Sequence, residues 1–343
     1  MPALLVLLLL VLLSPASSLQ AQGTLDIYWV DAEGGASTLI VTPSGESLLV
    51  DTANPRPEGR DVQRILDTAK MAGVERLDYV LTTHYHGDHY GSLAPLSKAI
   101  PVGTFLDHGD TVEADRERAR PLYEAYLAAI EGKRRSLKAG EKIPLKGLDV
   151  TVVASAGESI ANPINGGGPN PLCGDAKPID PDRDPENNQS LGFLLQFGDF
   201  SFLNLGDLTW NYELPLACPV NKVGKVTVFQ ATHHGFFGQR SGLPAHVWAV
   251  DPQVLVINNG PRKGINPPEV YEMIQKIPRL EDVWQGHIAE QNDSAHNTNE
   301  QMIANLTPSA ECEGHWIKLS AKADGTFTLT NGRNNFSKTY KAL

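Results

Sequence analysis

Apolar and polar positions alternate in short runs at the start of the chain. In TLDIYWVDAEGGASTLIVTPSGESLLVDTAN, β-branched and aromatic residues gather at 25–30, 37–41 and 47–51. Each run reads as a strand, and TPSG at 42–45 supplies the turn between the last two. The period then changes. Val62, Ile65, Leu66 and Ala69 fall on one face of a 3.6-residue repeat, which predicts a helix over 61–72 with Gly73 as its stop. LDYVLTT follows as a buried strand. Strands, then a helix, then a strand predict a mixed sheet with a crossover helix.

The charged, Ala-rich stretch 113–138 reads as a helical segment interrupted by Pro121, and EKIPLKGLDVTVVAS as a strand pair. Residues 156–189 carry little pattern. A loop of that length is read as lying over a site. The second half repeats the theme of the first. SLGFLLQFGDFSFLNLGD is a hairpin about Gly198-Asp199. KVTVFQATHHG is a strand ending in two histidines, and PQVLVINNG is another apolar strand with a polar end. A helix is predicted at 268–276 and a closing hairpin about Asp324-Gly325. Buried strands in both halves end in His or Asp, which places polar side chains on loops along one edge of a sandwich.

Charge narrows the function classes. The formal net charge of the 343 residues is −11, which argues against strong nucleic-acid binding through bulk electrostatics. The apolar run at 3–13 is too short for a membrane span of about 20 residues. Followed by the small residues Ala16, Ser17, Ser18 and Ala21, it reads as a signal peptide over 1–21. The expected location is secreted or periplasmic, with no transmembrane span in the mature chain. Cys173, Cys218 and Cys312 allow one disulfide and one leftover thiol in an oxidising compartment, with the pairing open.

The chemistry concentrates in HYHGDH. His84, His86, Asp88 and His89 are four ligand-type residues within six positions. Residues at i and i+2 leaving a strand point the same way, so His84 and His86 can share one ion. Gly87 lets the chain turn, so Asp88 and His89 can face a second. Asp207, in LNLGDLTW, stands at a strand end as a candidate bridging carboxylate. His233 and His234, in ATHHG, close another strand. Neighbours in an extended chain point to opposite faces, so one of the pair is expected to ligate and the other to lie near substrate.

With these motifs the sequence resembles the metallo-β-lactamase-fold hydrolase superfamily. In motif it is most similar to the hydrolase domain of bacterial competence DNA-uptake channels and to phosphorylcholine esterases. The resemblance implies an α/β fold, an αββα sandwich of two mixed sheets with outer helices, forming a single domain over 22–343. It implies a site of one or two zinc ions, with His84 and His86 on the first metal, Asp88 and His89 on the second, and Asp207 between them. His234 is the favoured last ligand. Asp88 and His233 are the catalytic candidates, for proton transfer and for stabilising developing charge. The implied activity is hydrolysis by metal-bound hydroxide of a phosphodiester or other small-molecule substrate. A β-lactam or lactone hydrolase and a non-catalytic metal- or substrate-binding protein are the alternatives.

One family histidine has no counterpart. ENNQS, with Asn187, Asn188 and Ser190, stands at its place, which leaves the number of ions open and admits manganese with its taste for oxygen donors. His108 is the other histidine of that interval and could approach the site. His287 and His296 read as surface or supporting histidines. NGGGP lacks the Lys-Ser or Lys-Thr of a phosphate loop, and Ser155 and Ser241 lack a nucleophile-elbow context.

Overall fold

The strands that carry the motifs are apolar on both faces because each is covered twice. In the computed structural model, which describes residues 23–174, 176–180, 183–238, 240–265, 267–307 and 312–343, two large sheets face each other. The signal-peptide reading falls outside the described residues. The first sheet runs Ser337–Lys341, Thr326–Asn331, Ile317–Ala321, Leu25–Trp29, Thr38–Val41, Ser47–Val50, Leu77–Leu81, Val102–Asp107, Arg134–Ser136. Hairpins make its first half antiparallel; from Ser47–Val50 onward the strands are parallel. The second runs Ile303–Asn305, Asp282–His287, Val254–Ile257, Val228–Gln230, Phe200–Asn204, Gly192–Phe197, Asp149–Ser155, Glu158–Ser159. Its strands are parallel from Ile303–Asn305 to Phe200–Asn204.

Between the sheets lies a core that includes Ile27, Trp29, Ile40, Leu48 and Leu81 of the first and Val152, Phe193, Phe202, Val256 and Trp284 of the second. The outer face of the first sheet packs on the helices Arg60–Met71, Leu93–Ala99 and Arg120–Ile130 through Ile65, Leu96 and Tyr126. The outer face of the second packs on Trp210–Ala217, Pro244–Val250 and Pro268–Ile274 through Leu216, Val247 and Ile274. The architecture is therefore the expected αββα sandwich of two mixed sheets. Parallel strands covered by helices on one side and a second sheet on the other are buried throughout, which explains their continuous apolar runs.

Three local expectations change. The helix expected over 113–138 is confined to Arg120–Ile130. Pro121 starts it rather than interrupting it, because a missing N–H costs nothing in the first helical turn. Residues 134–136 then join the sheet as Arg134–Ser136. The strand pair expected in EKIPLKGLDVTVVAS is one strand, Asp149–Ser155, with a single bridge from Lys142 to Thr151. The long loop is tied to the strand-and-helix frame by a disulfide. Cys173 and Cys218 form a disulfide, while Cys312 is a free, buried thiol. Among the described residues no helix is long and apolar enough to cross a membrane.

Candidate metal centre

Parallel pairing places the C-terminal ends of successive strands on one edge, and ligands gather where such strands end. His84, His86, Asp88 and His89 follow Leu77–Leu81 of the first sheet. Asp207 follows Phe200–Asn204, and His233 and His234 follow Val228–Gln230, both in the second sheet. The site thus forms where the two sheets share an edge. Gly206 permits the approach. Its φ is +57°, and a Cβ there would stand 2.9 Å from Thr83 Cβ.

Asp88, His89, Asp207 and His234 converge on one point. His89 Nε2 lies 3.2 Å from His234 Nε2 and 3.2 Å from Asp207 Oδ2. Asp88 Oδ2 is 3.7 Å from His89 Nε2 and 3.4 Å from His234 Nε2, and His234 Nε2 is 3.5 Å from Asp207 Oδ2. Donors about 2.0–2.2 Å from a tetrahedral ion stand roughly 3.3–3.6 Å apart, so these spacings fit a zinc-sized cation.

The hydrogen bonds behind the rings set their tautomers. His89 Nδ1 donates to Asp51 Oδ2 at 2.8 Å, and His234 Nδ1 donates to the Asn258 carbonyl at 3.2 Å. Each ring then turns its Nε2 toward the other. Two imidazole nitrogens and two carboxylates aimed at one point are a donor set that fits a metal ion. Asp51 is the hub of this support. Its carboxylate also accepts from Thr83 N at 2.8 Å and Thr83 Oγ1 at 2.9 Å, and Thr83 Oγ1 in turn lies 3.1 Å from His84 Nδ1. Such partners orient ligands and raise their basicity.

The remaining expected site residues lie beside this group. His84 is fully buried, its Nε2 3.9 Å from Asp207 Oδ2 and without a hydrogen-bond partner among the described residues. His86 packs edge-on against His84, with its Nε2 4.0 Å from Glu113 Oε2. His233 Nε2 lies 3.6 Å from Asp207 Oδ2. The expectation that His233 and His234 point to opposite faces does not hold. Both have left-handed backbones, φ 53° and 55°, and both rings reach Asp207. The turn abolishes the extended-chain alternation on which that expectation rested.

Charges follow the geometry. Burial works against ionised Asp88 and Asp207, yet His89, His234 and Lys263 around the first, and His89, His234 and His233 around the second, hold both carboxyls well below their usual range. Burial would lower His89, but Asp207, Asp51 and Asp88 raise it well above the ordinary histidine value. Burial pushes His84 well down, and His233 to about 4, which leaves both rings neutral at pH 7.

These observations meet the sequence at its motif segment. Residues 30–185 match the metallo-beta-lactamase superfamily. Over that segment the chain is similar to the metallo-beta-lactamase superfamily. Among curated proteins it is 34% identical over 94 residues to a UPF0173 metal-dependent hydrolase of Thermodesulfovibrio yellowstonii, covering 27% of this chain and 31% of that one. It is 36% identical over 98 residues to the atrochrysone carboxyl ACP thioesterase dmxR1 of a Cryptosporiopsis species, covering 29% of each. The chain thus spans under a third of the length of these relatives. The metallo-beta-lactamase fold protein YhfI of Bacillus subtilis aligns at a TM-score of 0.45 and 11% identity, over 76% of this chain and 96% of that one.

Within residues 30–185 and their surroundings, several residues escape sequence reasoning. Asp51 closes the run 47–51 with no sign of its role, and Ser241, which lacks a nucleophile-elbow context, lies 3.1 Å from His233 Nδ1. Lys263 places its ammonium on Asp88 Oδ2 from 175 positions away, with no local signal to find it. His108 does not join the group of ligand-type atoms. Its Nε2 meets Glu186 Oε1 at 3.1 Å, and Glu186 also accepts from Tyr85 N and Thr111 Oγ1, pinning the end of the long loop to the motif. His296 pairs with Asp293 at 2.6 Å, far from the centre. His287 is buried against Asp31 at 2.5 Å. Asp31, His287 and Cys312 form a second group of ligand-type atoms. The His287–Asp31 spacing there is that of a hydrogen bond rather than of two donors to one ion.

Proposed function

We propose that this chain is an exported, divalent-cation-dependent hydrolase, with zinc as the favoured ion and a phosphodiester as the favoured substrate class. The observation that carries the reading is the tetrahedral spacing of Asp88, His89, Asp207 and His234 at the shared sheet edge. When bound, divalent cations supply an activated water and a Lewis acid for the substrate oxygen. The chain's own residues do the rest. Asp51 and the Asn258 carbonyl hold two imidazoles with Nε2 turned toward each other. The burial of His84, His89 and Asp207 keeps bulk water away and strengthens every charge interaction in the cleft. Lys263, with a side chain 33% exposed, sets a positive charge at the mouth, where a phosphate oxygen would be held.

Imidazole-rich donors favour zinc, and the oxygen donors of the ENNQS segment make manganese the second choice. The acidic balance favours a small phosphodiester over a long nucleic acid. Export is supported by the apolar N-terminal run and by the Cys173–Cys218 disulfide, since disulfides persist in oxidising compartments. A second reading is an acyl substrate, supported by the thioesterase among the relatives.

The test is elemental analysis of the purified chain beside a panel of bis(p-nitrophenyl) phosphate, an acyl thioester and a β-lactam, with the double variant His89→Ala/Asp207→Ala as control. Metal-dependent phosphodiester turnover that the double variant lacks supports the proposal. Turnover only on the thioester or lactam moves it to the acyl reading. Metal without turnover leaves a binding protein, and no metal at all refutes it.

A further inference from the structure

We propose that Glu213 is a positioning residue for His233, acting through the turn that carries Ser241. The inference rests on the reading of the cleft as the active site. His233 Nε2 lies 3.6 Å from Asp207 Oδ2, so the tilt of this ring decides what the cleft presents beside that carboxylate. At the ring's other nitrogen, Ser241 Oγ stands 3.1 Å from His233 Nδ1. Ser241 is fully buried and belongs to a turn with little freedom. Gly238 N donates to Ser241 O at 2.9 Å, and Gly242 takes φ +65°, where a Cβ would run into the Phe237 ring.

Glu213 holds the end of that turn. Leu243 N donates to its Oε2 at 2.6 Å, and the Gly242 N–H bonds the same carboxyl. His246 Nδ1 stands 4.0 Å from the other oxygen, beyond hydrogen-bond reach, so the carboxyl is engaged by the turn. Glu213 is fully buried, and burial pushes its carboxyl up to about 7. A carboxyl at a position that penalises its charge offers what an apolar side chain cannot, an acceptor for the buried N–H groups of 242 and 243. The helix that carries it, Trp210–Ala217, begins three residues after Asp207. Trp210 N donates to Arg240 O at 2.7 Å, and Thr209 Oγ1, at the head of the helix, donates to Asn188 Oδ1 at 2.5 Å. One short helix therefore links the Asp207 turn to the support of His233. The spacing between carboxylate and imidazole is set from behind, by bonds that run from Glu213 to the turn and from Ser241 to the ring.

The experiment follows the His233 ring nitrogens of the full chain in a long-range 1H–15N correlation, beside kcat and KM on bis(p-nitrophenyl) phosphate. Glu213→Leu removes the acceptor. It should displace the His233 signals in the direction that Ser241→Ala does, with kcat down by about 10–100-fold and KM moved less. Glu213→Gln keeps an acceptor oxygen and should return the signals and kcat toward wild type. The double variant Glu213→Leu/Ser241→Ala should be no worse than Ser241→Ala alone, because residues acting along one line of contacts do not add. Should Glu213→Leu not fold, Glu213→Asp takes its place, since the shorter side chain draws the carboxyl back from Leu243 N. Wild-type His233 signals in a folded Glu213→Leu or Glu213→Asp chain, or losses that add in the double variant, overturn the inference. A wild type without turnover on any substrate fails the hydrolase reading instead, and the ring signals still decide the role of Glu213.

Discussion

Replacing Asp51 by Asn changes one atom and no volume. The native carboxylate accepts three hydrogen bonds, from Thr83 N, Thr83 Oγ1 and His89 Nδ1, at 2.8, 2.9 and 2.8 Å. An amide can keep the first through its oxygen. Its NH2 then faces the other two, and the Thr83 hydroxyl can rotate to accept. The imidazole of His89 has no such freedom. To accept, it must move its proton from Nδ1 to Nε2, the atom that stands 3.2 Å from both His234 Nε2 and Asp207 Oδ2. The bare lone pair that the cation needs is lost. Removing a partner of this kind costs roughly 10–100-fold in metal affinity, which is about 1.4–2.7 kcal/mol at 1.4 kcal/mol per decade. The assay is zinc competition against a chromophoric chelator, with urea unfolding of the metal-free protein run in parallel. Zinc affinity within about threefold of wild type, in an Asp51→Asn protein that folds, would refute the argument that this carboxylate sets the His89 tautomer.

Gly206→Ala forces an L side chain into φ +57° and its Cβ to 2.9 Å from Thr83 Cβ; a loss of about 1–3 kcal/mol is expected, read from the urea midpoint. Burial raises the Glu213 carboxyl to about 7. A raised folded pKa gives stability that is present below the unfolded value near 4.5 and lost as pH rises through 7, by about 3 kcal/mol at most. Glu213→Gln should therefore flatten stability against pH between 4.5 and 7 and exceed wild type at pH 8; an unchanged pH profile refutes the assignment. Cys173→Ala/Cys218→Ala opens a link across 45 positions, and chain-entropy loss predicts up to about 4 kcal/mol of destabilisation, visible as a lower urea midpoint relative to the oxidised wild type.

The ligand motif was legible because its residues are neighbours. HYHGDH follows a strand, and its spacing alone says that a metal could be held. Asp207 was legible from its place after LNLG, where an apolar run stops at a Gly-Asp. The pairing of Cys173 with Cys218 was not, since three cysteines leave three choices. Pro121 was misread because the same residue breaks a helix interior and begins a helix, and only the structured turns before it decide which. The shared direction of His233 and His234 was not legible, because their left-handed φ is uncommon for histidine and leaves no sign in the letters THHG.

The sequence by itself determined the strands, the ends at which polar residues fall, and half of the donor set, because those depend on periodicity and short spacing. Tertiary structure decided which ends meet. Parallel pairing in both sheets brings His84 and His89 to Asp207 across more than 110 positions, and closes Asp51, Ser241, Asn187 and Lys263 around them. Those partners carry no local signature, because a hydrogen bond across the cleft depends on position in space and leaves no period in the chain. At that sheet edge Asp207 meets four histidines.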